Sequence, residues 1–169
     1  MASGLFFSPQ KLLHLTPLIT ATSSLTYAHD ENFYLSNFLY PAHQPLSNQI
    51  LPSYFSRMFN TGVWIVIGTH AVNIGSAIAT LVSLKNQTGG GSGILNSQAG
   101  KWYTAGLILS IAHFAFVPFV AYPVRDIVED RSEGKSTGGL KRWLDVHRVR
   151  VLLVDLPCWM CFLAAALVV

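Results

Sequence analysis

The sequence predicts an all-α integral membrane protein, a four-helix bundle, and three observations carry that prediction. First, 51% of the chain is hydrophobic and only 11% is charged, against roughly 25% charged in a soluble domain. Second, three segments supply the run of about 20 mostly apolar residues that a helix needs to cross a bilayer. Third, the stretches between them collect most of the charge together with the glycine runs. The 169 residues suffice for a single domain. A net charge of +3, with basic residues that are not interleaved with aromatics in a groove-like pattern, argues against nucleic acid as a partner.

The first expected span, "LLHLTPLITATSSLTYA" (residues 12–28), is the weakest. It is short, rich in Ser and Thr, and holds His14 and Pro17. Lys11 ahead of it and the "TYA" behind it imitate a secretory signal. Its core is broken by His14, Thr16 and Pro17, so a retained helix whose hydroxyls bond across the bundle is the expectation. Residues 29–57, with Pro41, Pro45 and Pro52, read as a long loop. The second span (58–84) carries His70, Asn73, Ala77 and Thr80 on one helix face by their three- and four-residue spacing. Gly62, Gly68 and Gly75 would let neighbouring helices approach. Residues 85–101 read as a flexible Gly/Ser linker.

The third span (102–124) places Gly106, Ser110 and His113 on one stripe, with Pro118 following. Residues 125–148 form a charged loop whose end, "KRWLDVHRVR", starts a helix that runs into the last span. That span (149–169) contains Asp155, Pro157 and the pair Cys158 and Cys161. A C-x-x-C in an apolar helix lacks the polar setting that thiolates need, so both thiols are expected as small buried hydrophobes.

Basic residues set the orientation. Four spans put the first and third loops on one side with eight Lys and Arg, against three on the other. The basic side is expected to be cytoplasmic and both termini luminal. The sequon Asn86-Gln87-Thr88 then falls on a luminal loop. The endoplasmic reticulum is the default membrane for such a chain.

Ionisable groups at membrane depth are functional candidates because they are costly there. Counted from the cytoplasmic edge, His70 lies about 18 Å deep, His113 about 15 Å and Asp155 about 9 Å. Three uses compete for the histidines. One is a hydrogen bond across helices. Another is a haem or metal, since facing histidines hold haem and two histidines with a carboxylate hold non-haem iron. The offset in depth of Asp155 counts against the iron set. The third is acid–base chemistry, with a neutral imidazole as base. Asp155 reads either as an ion-pair partner of Arg148, Arg150 or Arg125, or as a catalytic carboxylate. Pro157 should kink the helix beside it and open a cavity.

The stretch from Trp102 to Asp130 followed by "LKRWLDVHRVRVLLVDLPCW" resembles the anthrone oxygenase-like family of small four-span membrane proteins. The resemblance rests on Pro123, Trp143, His147 and Arg150, and extends faintly to "FNTGVW" at the start of the second span. Arg125 and Asp126 stand where that family often has an asparagine. The resemblance implies a membrane monooxygenase of polyketide secondary metabolism that oxidises an anthrone to a quinone with dioxygen as co-substrate. No cofactor is required for that chemistry, and haem or iron stays open. It implies His70 or His113 as base, Arg150 or Arg148 at the oxyanion, and His147 and Trp143 at the mouth. Asp155 joins the catalytic set, and Asn73, Trp143, His147 and Arg148 the substrate-binding set. The expected partners are a lipophilic polycyclic substrate and the bilayer, with homo-oligomerisation open. The alternatives are a membrane cyclase or isomerase with Asp155 as proton donor, and a non-enzymatic tetraspan accessory protein.

Overall fold

The computed structural model describes residues 8–88 and 96–169. They form four helices, and no strand occurs among the described residues. Helix α1 is Pro9–Ser36 and α2 is Gln44–Thr88. Helix α3 is Gln98–Val128 and α4 is Ser136–Val168. By length and composition α2, α3 and α4 qualify as membrane spans. Helix α1 has the length but is more polar, and Thr16, Thr20, Thr22, Ser23 and Thr26 each donate to a carbonyl three or four residues back.

The helices outrun the expected spans. Residues 44–57, read as loop, are the first turns of α2, which at 1.5 Å per residue is about 68 Å long. Pro45 sits in its first turn, where a missing N–H costs nothing, and Pro52 lies within it. Two 3₁₀ turns, Asn37–Leu39 and Pro41–His43, take all of the reversal from α1. A signal for this was present: the buried residues His14, Ala21, Ala28 and Leu35 of α1 recur every seven positions, straight through the polar "HDEN". Asn86 and Thr88 of the sequon lie in the last turns of α2 rather than in a loop. The expected linker falls in part on residues 89–95, outside the described residues. Its end is helical, because Ser97 caps α3 by accepting from the Gly100 amide. Most of the expected charged loop is helix as well, since α3 runs to Val128 and α4 begins at Ser136.

Two apolar clusters hold the bundle at its two ends. Ala21, Ala77, Tyr103, Cys158, Phe162 and Ala165 form one. Leu35, Leu51, Phe55, Ile127, Trp143 and Leu144 belong to the other. Glu31, His70, His113 and Asp155 fall between the two along their helices. The outer surface is apolar, with Trp64, Phe119, Tyr122, Leu152 and Leu153 all well exposed, as lipid contact requires. In lipid the helices gain little from hydrophobic burial against each other, and close packing takes over. A Cβ at Gly106 would stand 2.6 Å from the Phe162 ring, and one at Gly62 would strike the Tyr27 hydroxyl. Gly68 and Gly75 face open space, so the close approach expected of them does not occur.

Candidate active site

Two local departures from α-geometry aim the central side chains. Pro118 has no N–H for the carbonyl of Phe114, and α3 tightens into a 3₁₀ turn over His113–Phe116. Pro157 likewise leaves the carbonyl of Leu153 without its partner, and α4 widens into a π turn over Val151–Asp155. Such single-turn bulges recur at functional sites. Here one opens on His113 and the other closes on Asp155.

These turns bring His113 Nδ1 to 2.8 Å from Asp155 Oδ1. The other carboxylate oxygen accepts from Arg150 Nε at 3.1 Å. Arg150 also donates from its terminal nitrogen to His147 Nδ1 at 3.1 Å. A guanidinium only donates, so His147 is neutral with its proton on Nε2, which it gives to the Ala28 carbonyl at 2.8 Å. Trp143 stacks on His147, with ring centroids 4.8 Å apart. Opposite, His70 donates from Nδ1 to the Val66 carbonyl at 3.0 Å and lies against His113, centroid to centroid 4.0 Å. Each imidazole thus has a fixed Nδ1–H, and Nε2 of both has no hydrogen-bond partner among the described residues.

Two cavities flank the histidine pair. A cavity of about 280 Å³ is walled by Phe59, Val66, Phe114 and Trp143, with Glu31, His113 and Arg150 as its charged or ionisable groups. Ile67 and Val117 line it and are also exposed on the outer surface, so it opens sideways between α2 and α3. On the far side a polar pocket of about 20 Å³ is lined by Thr20, Thr69, His70, Asn73, Ser110 and Asp155. That volume holds about one water-sized molecule.

The sequence-predicted residues divide into three groups. His70, His113, Asp155 and Arg150 come together in one cluster. The depth offset that separated Asp155 from the histidines does not exist. The count took both helices to begin at one plane, whereas α4 starts fourteen residues before Arg150 and the π turn re-aims Asp155. Trp143 reaches the larger cavity, and His147 lies behind Arg150. Asn73 reaches the polar pocket but ties three helices together: it donates to the Pro17 carbonyl and Thr20 Oγ1, both at 2.8 Å, and accepts from Ser110 at 2.6 Å. Arg148 is not brought to the cluster. It points outward to Asn32 and Asp145. Arg125 pairs with Glu129 instead of Asp155. Cys158 and Cys161 are free and buried, and Cys158 donates to the Gly106 carbonyl. Sequence reasoning missed Glu31, because the loop assignment hid the end of α1.

The chain is 32% identical over 157 residues to a protein of Mollisia scopiformis named "Probable epoxidase scpX", covering 93% of this chain and 95% of that one. It is 30% identical over 159 residues to "Epoxidase pydX" of an Acremonium species, covering 94% of each. This chain belongs to their family. A protein of Penicillium oxalicum named "Oxaleimides biosynthesis cluster protein N" is 28% identical over 153 residues, 88% of this chain and 84% of that one. No family model matches the sequence, and no solved structure matches it. The names of these relatives support an oxidative biosynthetic role. They are epoxidase names, and the anthrone-to-quinone step implied by the sequence resemblance is a finer statement than they carry.

Proposed function

We propose that this protein is a membrane epoxidase, inserting one oxygen atom of dioxygen into a carbon–carbon double bond of a lipophilic biosynthetic intermediate. The observation that carries the reading is the apolar cavity of about 280 Å³ with Arg150 and His113 in its wall, in a chain whose relatives are named epoxidases. Pockets of this kind pair apolar walls with a few placed polar groups. The substrate enters from the bilayer through the lateral opening beside Ile67 and Val117. Arg150, held by Asp155 and His147, presents a cation where negative charge develops on oxygen. The small polar pocket behind His70 is sized for dioxygen or the water that leaves. On the distribution of its basic residues we orient a four-span chain with luminal termini, in the endoplasmic reticulum as the default membrane.

The balance of the reaction separates this reading from its rival. An alkene, dioxygen, two electrons and two protons give an epoxide and water, so a donor such as ascorbate or a reduced flavoprotein is consumed. An anthrone, once its acidic methylene is deprotonated, reduces dioxygen itself and gives a quinone and water with no external donor. The His113–Asp155 pair favours that second reading, because the carboxylate fixes the imidazole tautomer and leaves Nε2 as a base. The test is protein in lipid nanodiscs supplied with isotopically labelled dioxygen, ascorbate, and a panel of lipophilic polyenes and hydroxylated anthrones. The epoxidase reading expects one labelled oxygen in an epoxide, with ascorbate consumed in equal amount. Quinone formation unaffected by ascorbate, with no epoxide from any polyene, would replace it with the anthrone reading. Val63→Trp, which fills the larger cavity, should raise KM about tenfold or more by excluding substrate while the protein stays folded.

A further inference from the structure

We infer that His70, His113 and Asp155 form a binding site for a divalent transition metal, and that the ion is Fe(II). One ligand atom of each of the three lies within 4.8 Å of the others. His113 Nδ1 and Asp155 Oδ1 already face each other across 2.8 Å, close to the roughly 3 Å between neighbouring ligands of a six-coordinate ion bound at about 2.1 Å. An ion entering there takes the place of the proton that the two now share, and that proton leaves to water. His70 offers Nε2, because its Nδ1–H is committed to the Val66 carbonyl. A bound histidine that donates its second ring nitrogen to a carbonyl is the usual arrangement around a metal. Asp155 keeps its other oxygen on Arg150 Nε, which orients the carboxylate.

The surroundings leave the ion coordinatively open. Three protein ligands occupy half of an octahedron, and the polar pocket of about 20 Å³ beside His70 and Asp155 leaves room for one small further ligand. Two histidines and one carboxylate with open positions are the donor set of non-haem Fe(II) oxygenases. The site itself stands on geometry alone; the choice of iron over other divalent ions rests on the epoxidase reading. The inference also meets a need of that reading. An isolated double bond has no acidic proton, so the imidazole base that serves an anthrone gives it no route to dioxygen. A proton and an ion are alternative occupants of the same His113–Asp155 gap.

The full chain, purified in detergent and loaded with Fe(II) under anaerobic conditions, is washed and its metal content measured. It is then exposed to nitric oxide for electron paramagnetic resonance. We expect one iron per chain and the high-spin signal of a ferrous nitrosyl complex, with affinity falling as pH is lowered because a proton competes. His70→Gln and His113→Gln should each weaken iron binding tenfold or more, and His43→Ala, on the exposed turn before α2, should leave it unchanged. Circular dichroism and gel filtration establish that each variant is folded. Wild-type protein that retains no iron, or site variants that are folded and bind it as tightly as wild type, would overturn the inference. Iron bound without oxygenation of any substrate would uphold the site and sink the epoxidase reading. Oxygenation persisting in iron-free, chelator-treated protein would overturn the assignment of iron and leave the epoxidase reading intact.

Discussion

Two polar networks adjoin in the same bundle, about one helical turn apart, and they use their polar atoms in opposite ways. Around Asn73 nearly every valence is spent on holding helices together. The amide reaches Pro17 and Thr20 of α1 and receives Ser110 of α3. Tyr103 donates to the His14 carbonyl at 2.8 Å and Thr80 to the Leu13 carbonyl at 3.2 Å. Around Asp155 the bonds fix orientation and leave functional atoms over. His70 and His113 each keep an unbonded ring nitrogen, and Arg150 faces a cavity. The first network sits on regular α-helix; the second sits on a 3₁₀ turn and a π turn. Asn73 thus spends its polar atoms on joining helices, whereas His70 and His113 keep a ring nitrogen free for the proposed chemistry.

The contrast is broken most severely at Arg150 and Asp155. Their side chains are 11% and 8% exposed, and removing one partner leaves a buried charge uncompensated. Arg150→Ala should cost about 3–5 kcal/mol of stability and abolish turnover. Asp155→Asn keeps the shape and should lose turnover by at least about a hundredfold with a smaller loss of stability, which would separate charge from packing. Next comes the helix contact that the glue region depends on. Gly106→Ala should cost about 1–3 kcal/mol through collision with the Phe162 ring, and Phe162→Leu should recover part of it. Thermal unfolding in detergent reads both.

A smaller effect sharpens the comparison from the other side. Tyr103→Phe removes one cross-helix bond, worth about 0.6 kcal/mol in a membrane bundle. Turnover per folded molecule should be unchanged. A large drop in kcat would show that the two networks are coupled rather than separate. The smallest effect is expected outside the membrane. The Glu129 carboxyl is held below its usual range first by the Arg131 donation and then by Arg125. A depressed folded value means that this contribution is present above the ordinary glutamate range and fades as pH falls through it. Being solvent-exposed it is screened, and Glu129→Gln should produce no measurable change in stability at neutral pH.

The bundle and the members of the cluster were legible in the sequence for a physical reason. A histidine or aspartate in an apolar run is conspicuous, and its spacing to Asn73 or Ser110 places it on a face. The cysteine pair was legible in the same way. The meeting of Asp155 with His113 was not legible, because depth along a helix was counted from charged edges that the helices outrun. The ends of α1 and α2 were hidden by prolines and by "HDEN", which look like loop to a composition count. The seven-residue recurrence from His14 to Leu35 carried the opposite message. Arg148 and Arg150 could not be told apart by distance from Asp155, since the π turn decides which of them points inward.

The central claim is that the His70–His113–Asp155–Arg150 cluster carries out the oxidation of a biosynthetic intermediate. The most direct measurement deletes the gene from its host and compares the metabolite masses after restoring wild-type or Asp155→Asn protein under isotopically labelled dioxygen. The account predicts a deletion strain that accumulates a metabolite lighter by one oxygen atom. Wild type should restore that atom with the label, and Asp155→Asn, present in the membrane at wild-type level, should not. Restoration of the labelled product by Asp155→Asn would contradict it.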